Sequence, residues 1–137
     1  MTGQERFLRL FLRIVASASA LAALCVVFPY SWMNAVHQWL GMGTLPPEPI
    51  VGYLARSTSA FYALVGGLMW LVSFDLQRHR AALCYLGAAF IVFGLTLFVV
   101  DRLEGMPLLW TLLEGPIDVA FGVVILWLAC RLRARPS

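Results

Sequence analysis

The sequence predicts an all-α membrane protein: an up-down four-transmembrane-helix bundle with a short interfacial helix in the first outer loop. Three observations carry that expectation. The 137 residues are 61% hydrophobic and only 12% charged, against about 25% charged for an ordinary soluble domain. Four apolar runs, each near the length that crosses a hydrocarbon core of about 30 Å, are separated by charged or proline-rich breaks. The basic residues are all arginine and cluster at the ends of those runs. The mean hydropathy of +0.84 fits a chain that buries its apolar surface in lipid. By length it forms one transmembrane domain, residues 1–137.

The first span is expected at about residues 10–29. Glu5, Arg6, Arg9 and Arg13 stand among apolar residues before it, and arginines at 6, 9 and 13 share one helical face, as at a membrane interface. The uncharged run Ile14–Tyr30 continues past its Ala-Ser-Ala stretch to Phe28, which favours an uncleaved anchor over a signal peptide. Ala16, Ser17, Ser19, Ala20 and Ala23 give this helix a small side suited to close packing.

Residues 30–51 form the longest connection. Trp32, Met33, Val36, Trp39 and Leu40 fall on one helical stripe, the pattern of a short helix lying in the membrane interface. Gly41-Met-Gly43 ends it, and Pro46-Pro-Glu-Pro49 reads as a stiff extended linker.

The second span, 52–74, carries Arg56 near its start. Its Ser59, Ala63 and Gly67 repeat every four residues, a ridge on which another helix can pack. DLQRHR (75–80) is a short basic turn. The third span, 81–100, has no charge; Gly87 and Gly94 lie seven apart, with Ala88 continuing a small face. Asp101, Arg102 and Glu104 are expected in a solvated turn, closed by Gly105-Met-Pro107. The fourth span is 107–130.

With four spans, Arg6, Arg9, Arg13, Arg78, Arg80, Arg131, Arg133 and Arg135 share one side, leaving Arg56 and Arg102 on the other. The positive-inside bias then places both termini in the cytoplasm of a bacterial inner membrane. This arginine pattern is not the basic stripe of a nucleic-acid interface, so no nucleic acid is expected as a partner. The expected partners are the lipid bilayer and a membrane protein or a second copy of the chain.

Charges inside spans are expensive and are the natural candidates for function. Glu114 and Asp118, four apart on the fourth span, lie on one face with Pro116 between them. Counted at about 1.5 Å per residue from Pro107, they stand roughly 10–15 Å into the membrane, and Arg56 lies at similar depth on the second span. Two readings follow. One is a cavity open to the outer face, lined by Arg56, Ser59, Tyr62, Glu114 and Asp118, with Pro116 breaking the helix as in many transporters. The other is a structural ion pair. Paired carboxylates also do acid–base work, but no loop or domain is present to hold a substrate, so no catalytic residue is assigned. No metal-ligand spacing, phosphate loop or nucleophile elbow occurs, and no metal or cofactor is expected. His37 and His79 are interfacial and on opposite sides. Cys25, Cys84 and Cys130 are isolated in apolar runs and read as small hydrophobes.

The turn SFDLQRHR (73–80), the connection RLEGMP (102–107) and LLEGP (112–116) give the whole chain the look of the small uncharacterised four-helix membrane proteins of bacteria. In architecture it is similar to the DoxX-like group. The small multidrug resistance transporters are also four-helix proteins, but their first helix carries a buried acid and Ile14–Tyr30 has none. The resemblance implies a fold and assigns no activity. The function expected from the sequence is therefore a non-enzymatic accessory or interaction subunit, with a small transporter or lipophilic-ligand binder as the alternative.

Overall fold

The computed structural model describes residues 2–132, and these are helical without a strand. Six helices follow in order: α1 (Gly3–Leu21), α2 (Ala23–Val26), α3 (Tyr30–Trp39), α4 (Pro49–Val72), α5 (Arg80–Leu103) and α6 (Leu108–Cys130). Three stretches are long and apolar enough to cross a membrane: Gly3–Val26, Arg80–Leu103 and Leu108–Cys130. The chain is a membrane protein by that measure. Helix α4 has 24 residues, length enough to cross, but it is not among the three. The run Arg56-Ser-Thr-Ser59 in its first half dilutes its hydropathy. Arg133 and Arg135, two of the arginines in the orientation argument, lie outside the described residues.

The chain divides into two compact units, with boundaries inside α1 and at the end of α4. The first holds the chain up to Leu12 and again from Val72 onward; the second is Arg13–Leu71.

In the first unit α5 and α6 form an antiparallel hairpin with a glycine seam. A Cβ built on Gly87 would lie 2.9 Å from the Gly122 carbonyl oxygen, and one on Gly122 would lie 2.6 Å from that of Gly87. Gly94 and Gly115 face each other equally closely, at 2.5 and 2.6 Å. The seven-residue spacing on both helices keeps these contacts on a single seam, as in a heptad repeat. Buried Thr111, Gly115, Gly122, Ile125 and Ala129 continue the spacing along α6. Ala88, expected on the small face of α5, is exposed: the seam runs along Gly87 and Gly94, and the next position turns outward.

The α5–α6 turn is a Schellman-type stop. Gly105 takes the left-handed conformation at φ +69°, and the Met106 amide donates to the Asp101 carbonyl at 2.9 Å. At the other end of the hairpin the Arg80 guanidinium donates to the carbonyls of Ala129 (3.3 Å) and Cys130 (3.4 Å). It thereby caps the C-terminus of α6 with a positive charge.

The start of α1 carries a capping box. The Thr2 amide donates to Glu5 Oε2 at 2.8 Å, and the Glu5 amide donates to Thr2 Oγ1 at 3.2 Å. The buried Glu5 also accepts from Gln77 Nε2 at 2.8 Å, and Arg9 donates to the Phe74 carbonyl at 3.3 Å. These bonds tie the first turns of α1 to the 73–79 turn, and Phe11 meets Phe121 edge to face at 5.6 Å. Leu8, Leu12, Leu83 and Ile125 are fully buried.

In the second unit α4 packs on α1 through Gly66. A Cβ there would lie 2.7 Å from the Ala16 carbonyl oxygen and 2.8 Å from the Ala20 nitrogen. Trp70 Nε1 donates to Ser17 Oγ at 3.2 Å, and the Arg13 guanidinium stands 5.0 Å from the Trp70 ring centre. Of the small residues expected on this side, Ala16, Ser17, Ser19 and Ala20 are used, whereas Ala23 falls in α2 and is exposed. The ridge expected on α4 is shifted: Gly66 makes the contact, whereas Gly67 is exposed, with nothing within 4 Å of a built Cβ.

Helix α3 ends in a full Schellman motif. Gly41 sits at φ +79°, its amide bonds to the Gln38 carbonyl, and the Met42 amide bonds to that of His37. The linker then folds back on α3. Asn34 Oδ1 accepts from the Leu45 amide at 2.8 Å, the Tyr30 hydroxyl lies 2.5 and 2.6 Å from the carbonyls of Leu45 and Pro46, and His37 Nδ1 is 2.9 Å from the Gly43 carbonyl. Trp32 and Trp39 are exposed.

Candidate functional site

The five residues singled out from the sequence fall into both units. Arg56, Ser59 and Tyr62 lie on α4 in the unit Arg13–Leu71, and Glu114 and Asp118 lie on α6 in the other.

On α4 the polar run is satisfied locally. Ser59 Oγ donates to the Ala55 carbonyl at 2.8 Å, and Ser57 Oγ donates to those of Tyr53 (2.8 Å) and Leu54 (3.2 Å). Such back-bonding to the preceding turn lets hydroxyls sit in an apolar setting without an unpaired donor. Arg56 donates to the Phe28 carbonyl at 3.2 Å. That oxygen lies at the turn before α3, where the Trp32 amide that could reach it bonds instead to the Pro29 carbonyl. Tyr62 is half-buried.

On α6, Glu114 and Asp118 are half-buried and flank Gly115, the residue that meets Gly94. The helix is continuous through Pro116, so the broken helix expected there is not present. Proline removes only the bond to the Leu112 carbonyl, and Gly115 beside it is packed against α5 rather than serving as a hinge.

Asp101 departs from its expected place. The sequence puts it in a solvated turn, yet it is 5% exposed, and its Oδ2 is buried with no hydrogen-bond partner. Arg102 and Glu104, its neighbours in that turn, are exposed as expected. Helix α5 runs to Leu103 and the turn begins at Glu104, so Asp101 is still helical, on the α5 face that carries Gly87 and Gly94 at spacings of seven. That spacing was the signal for its burial.

Cys84 and Cys130 also depart from the reading as isolated hydrophobes. Their sulfurs are 4.0 Å apart, near the Arg80 end of the α5–α6 hairpin, and Cys130 is exposed. Their separation of 46 residues hides the pairing from any local motif. Among the described residues no group of three or more His, Cys, Asp or Glu is placed to hold a metal ion.

Comparison with protein-family models, with curated proteins and with solved structures finds no match. The functional reading therefore rests on the residues themselves.

Proposed function

We propose that this chain is a single transmembrane domain acting as a non-enzymatic accessory or interaction subunit of a bacterial inner membrane. Helices α1–α2, α4, α5 and α6 cross the bilayer up and down with both ends of the sequence cytoplasmic, an architecture similar to the DoxX-like group. Helix α3, with its exposed tryptophans, lies in the outer interface. The crossing of α4 is supported by its 24-residue length and by the local bonding of Ser57, Ser59 and Arg56, which lowers the cost of that polar run in lipid.

The observation that carries the interaction reading is Gly67. One face of α4 is spent on α1 through Gly66, while Gly67 next to it offers backbone with open space around it. In lipid, close approach of backbones is a main source of helix association, because no hydrophobic force separates helix from lipid. The partner is another spanning helix, of a second copy or of a membrane protein. Crosslinking in intact membranes tests this: a specific higher-mass adduct is expected, and a chain that stays monomeric at every crosslinker concentration contradicts it.

Asp101 favours a second reading, a small transporter or lipophilic-ligand binder. A buried carboxylate oxygen without a partner, on the same α5–α6 hairpin as Glu114 and Asp118, is the arrangement a ligand donor or a proton would complete. Glu114→Gln and Asp118→Asn would then abolish binding or flux while folded protein stays abundant. Unchanged binding or flux in both variants removes this reading.

A further inference from the structure

Helix pairing has brought two thiols from distant parts of the chain together. Arg80 and Cys84 are one turn apart on α5. Arg80 holds the carbonyls of Ala129 and Cys130, which fixes the last turn of α6 over the first turn of α5. The consequence is a Cys84–Cys130 sulfur separation of 4.0 Å. A disulfide needs about 2.05 Å, so the sulfurs must close by roughly 2 Å, a distance that side-chain rotation supplies. Cys130 is the last residue of its helix and is exposed, whereas Cys84 is half-buried. The pair thus has one sulfur that solvent reaches and one that waits behind it. Cys25 lies in the other unit.

We propose that Cys84 and Cys130 form an oxidisable dithiol that exchanges with small-molecule disulfides and closes into a reversible bond between α5 and α6. The Cys130 thiolate attacks one sulfur of the small disulfide and expels the other half as a thiolate, leaving a mixed disulfide on Cys130. The Cys84 thiolate then attacks Cys130 Sγ and expels the second half. Two protein thiols are oxidised by two electrons, one small disulfide is reduced to two thiols, and the two protons pass to the leaving thiolates. Arg80 is the positioning residue. With this end of the hairpin in the cytoplasm, as the topology above has it, the resting form is the dithiol, and the bond forms only under oxidising load. The exchange chemistry is the same on either side.

The test uses the full chain, wild type, in mild detergent, treated with oxidised glutathione and then alkylated under denaturing conditions. The reduced protein takes up three alkyl groups, one per free cysteine. The expected result is a fall to one, with intact mass lower by two hydrogens before alkylation, a Cys84–Cys130 linked peptide, and full reversal by a dithiol reductant. The C84S variant should instead stop at glutathione on Cys130. Three alkylatable thiols after treatment, glutathione held stably on wild-type Cys130, or a covalent dimer through Cys130 would each overturn the proposal.

Discussion

Gly94 of α5 and Gly115 of α6 meet backbone to backbone: a Cβ on either would lie within 2.6 Å of the other's carbonyl oxygen. Neither neighbour is a flexible side-chain tip that could swing aside. Gly87 and Gly122 repeat the relationship seven residues away, so the hairpin is held by two glycine pairs of one register. The tight seam, the Gly105 turn at one end and the Arg80 cap at the other are one construction.

Any side chain at Gly94 or Gly115 must therefore push the helices apart. Gly94→Ala is expected to lower stability by about 1–3 kcal/mol, the usual range for overpacking a fitted contact. Gly3→Ala, with nothing within 4 Å of its Cβ, serves as the neutral control. Thermal unfolding of the detergent-solubilised protein measures both, and equal melting temperatures would show that the seam is not tight.

Arg80 serves the carbonyls at the end of α6 as a charge and as a paired donor. Arg80→Gln should weaken that end by about 0.3–1 kcal/mol, the range for a cation at a helix C-terminus. Faster amide exchange confined to the last turn of α6 would report it. Arg80→Lys restores the charge without the fork and is expected to recover only part of the protection.

Asp101 holds a buried oxygen with no partner. A buried unsatisfied polar group costs about 1–3 kcal/mol, and more when charged. Asp101→Asn keeps the shape and removes the charge, so the empty protein should melt at an equal or higher temperature. A clear loss of stability would mean that the carboxylate is already satisfied.

The loop after α3 is held by side chains bonding to backbone. Removing the acceptor in Asn34→Ala frees the Leu45 amide and should open residues 41–48 to proteolysis. The turn at residues 75–80, where Arg78 is exposed, should cut at an unchanged rate, and the cleavage map distinguishes the two.

Much of this was legible in the sequence. The helices α3, α4, α5 and α6 fall where the apolar runs and the Gly41 and Gly105 stops put them, because length and turn chemistry are local properties. The packing partners were not, because they depend on register. Gly115 carries no local sign of its contact until α5 is laid antiparallel to α6; then 87 with 122 and 94 with 115 are symmetric about the Gly105 turn. That symmetry was present in the spacing. Asp101 reads as solvated for the same reason: a charged residue at a helix end ordinarily is, and only the register shows that it continues the buried glycine face. The shift from Gly67 to Gly66 is one residue, about 100° of helix rotation, and a ridge of small residues does not say which of two adjacent glycines is inside.

The interaction proposed for this chain, with another membrane protein or a second copy of itself, runs through the side of α4 that carries Gly67. Native mass spectrometry of mildly extracted wild type and Gly67→Leu tests it most directly, with Gly66→Leu as the variant expected to damage the α1–α4 contact itself. Wild type should carry a second copy or a bound protein partner, and Gly67→Leu should lose it while its melting temperature stays unchanged. Wild type appearing only as a monomer, or Gly67→Leu keeping the same partner, would rule out packing through this side of α4.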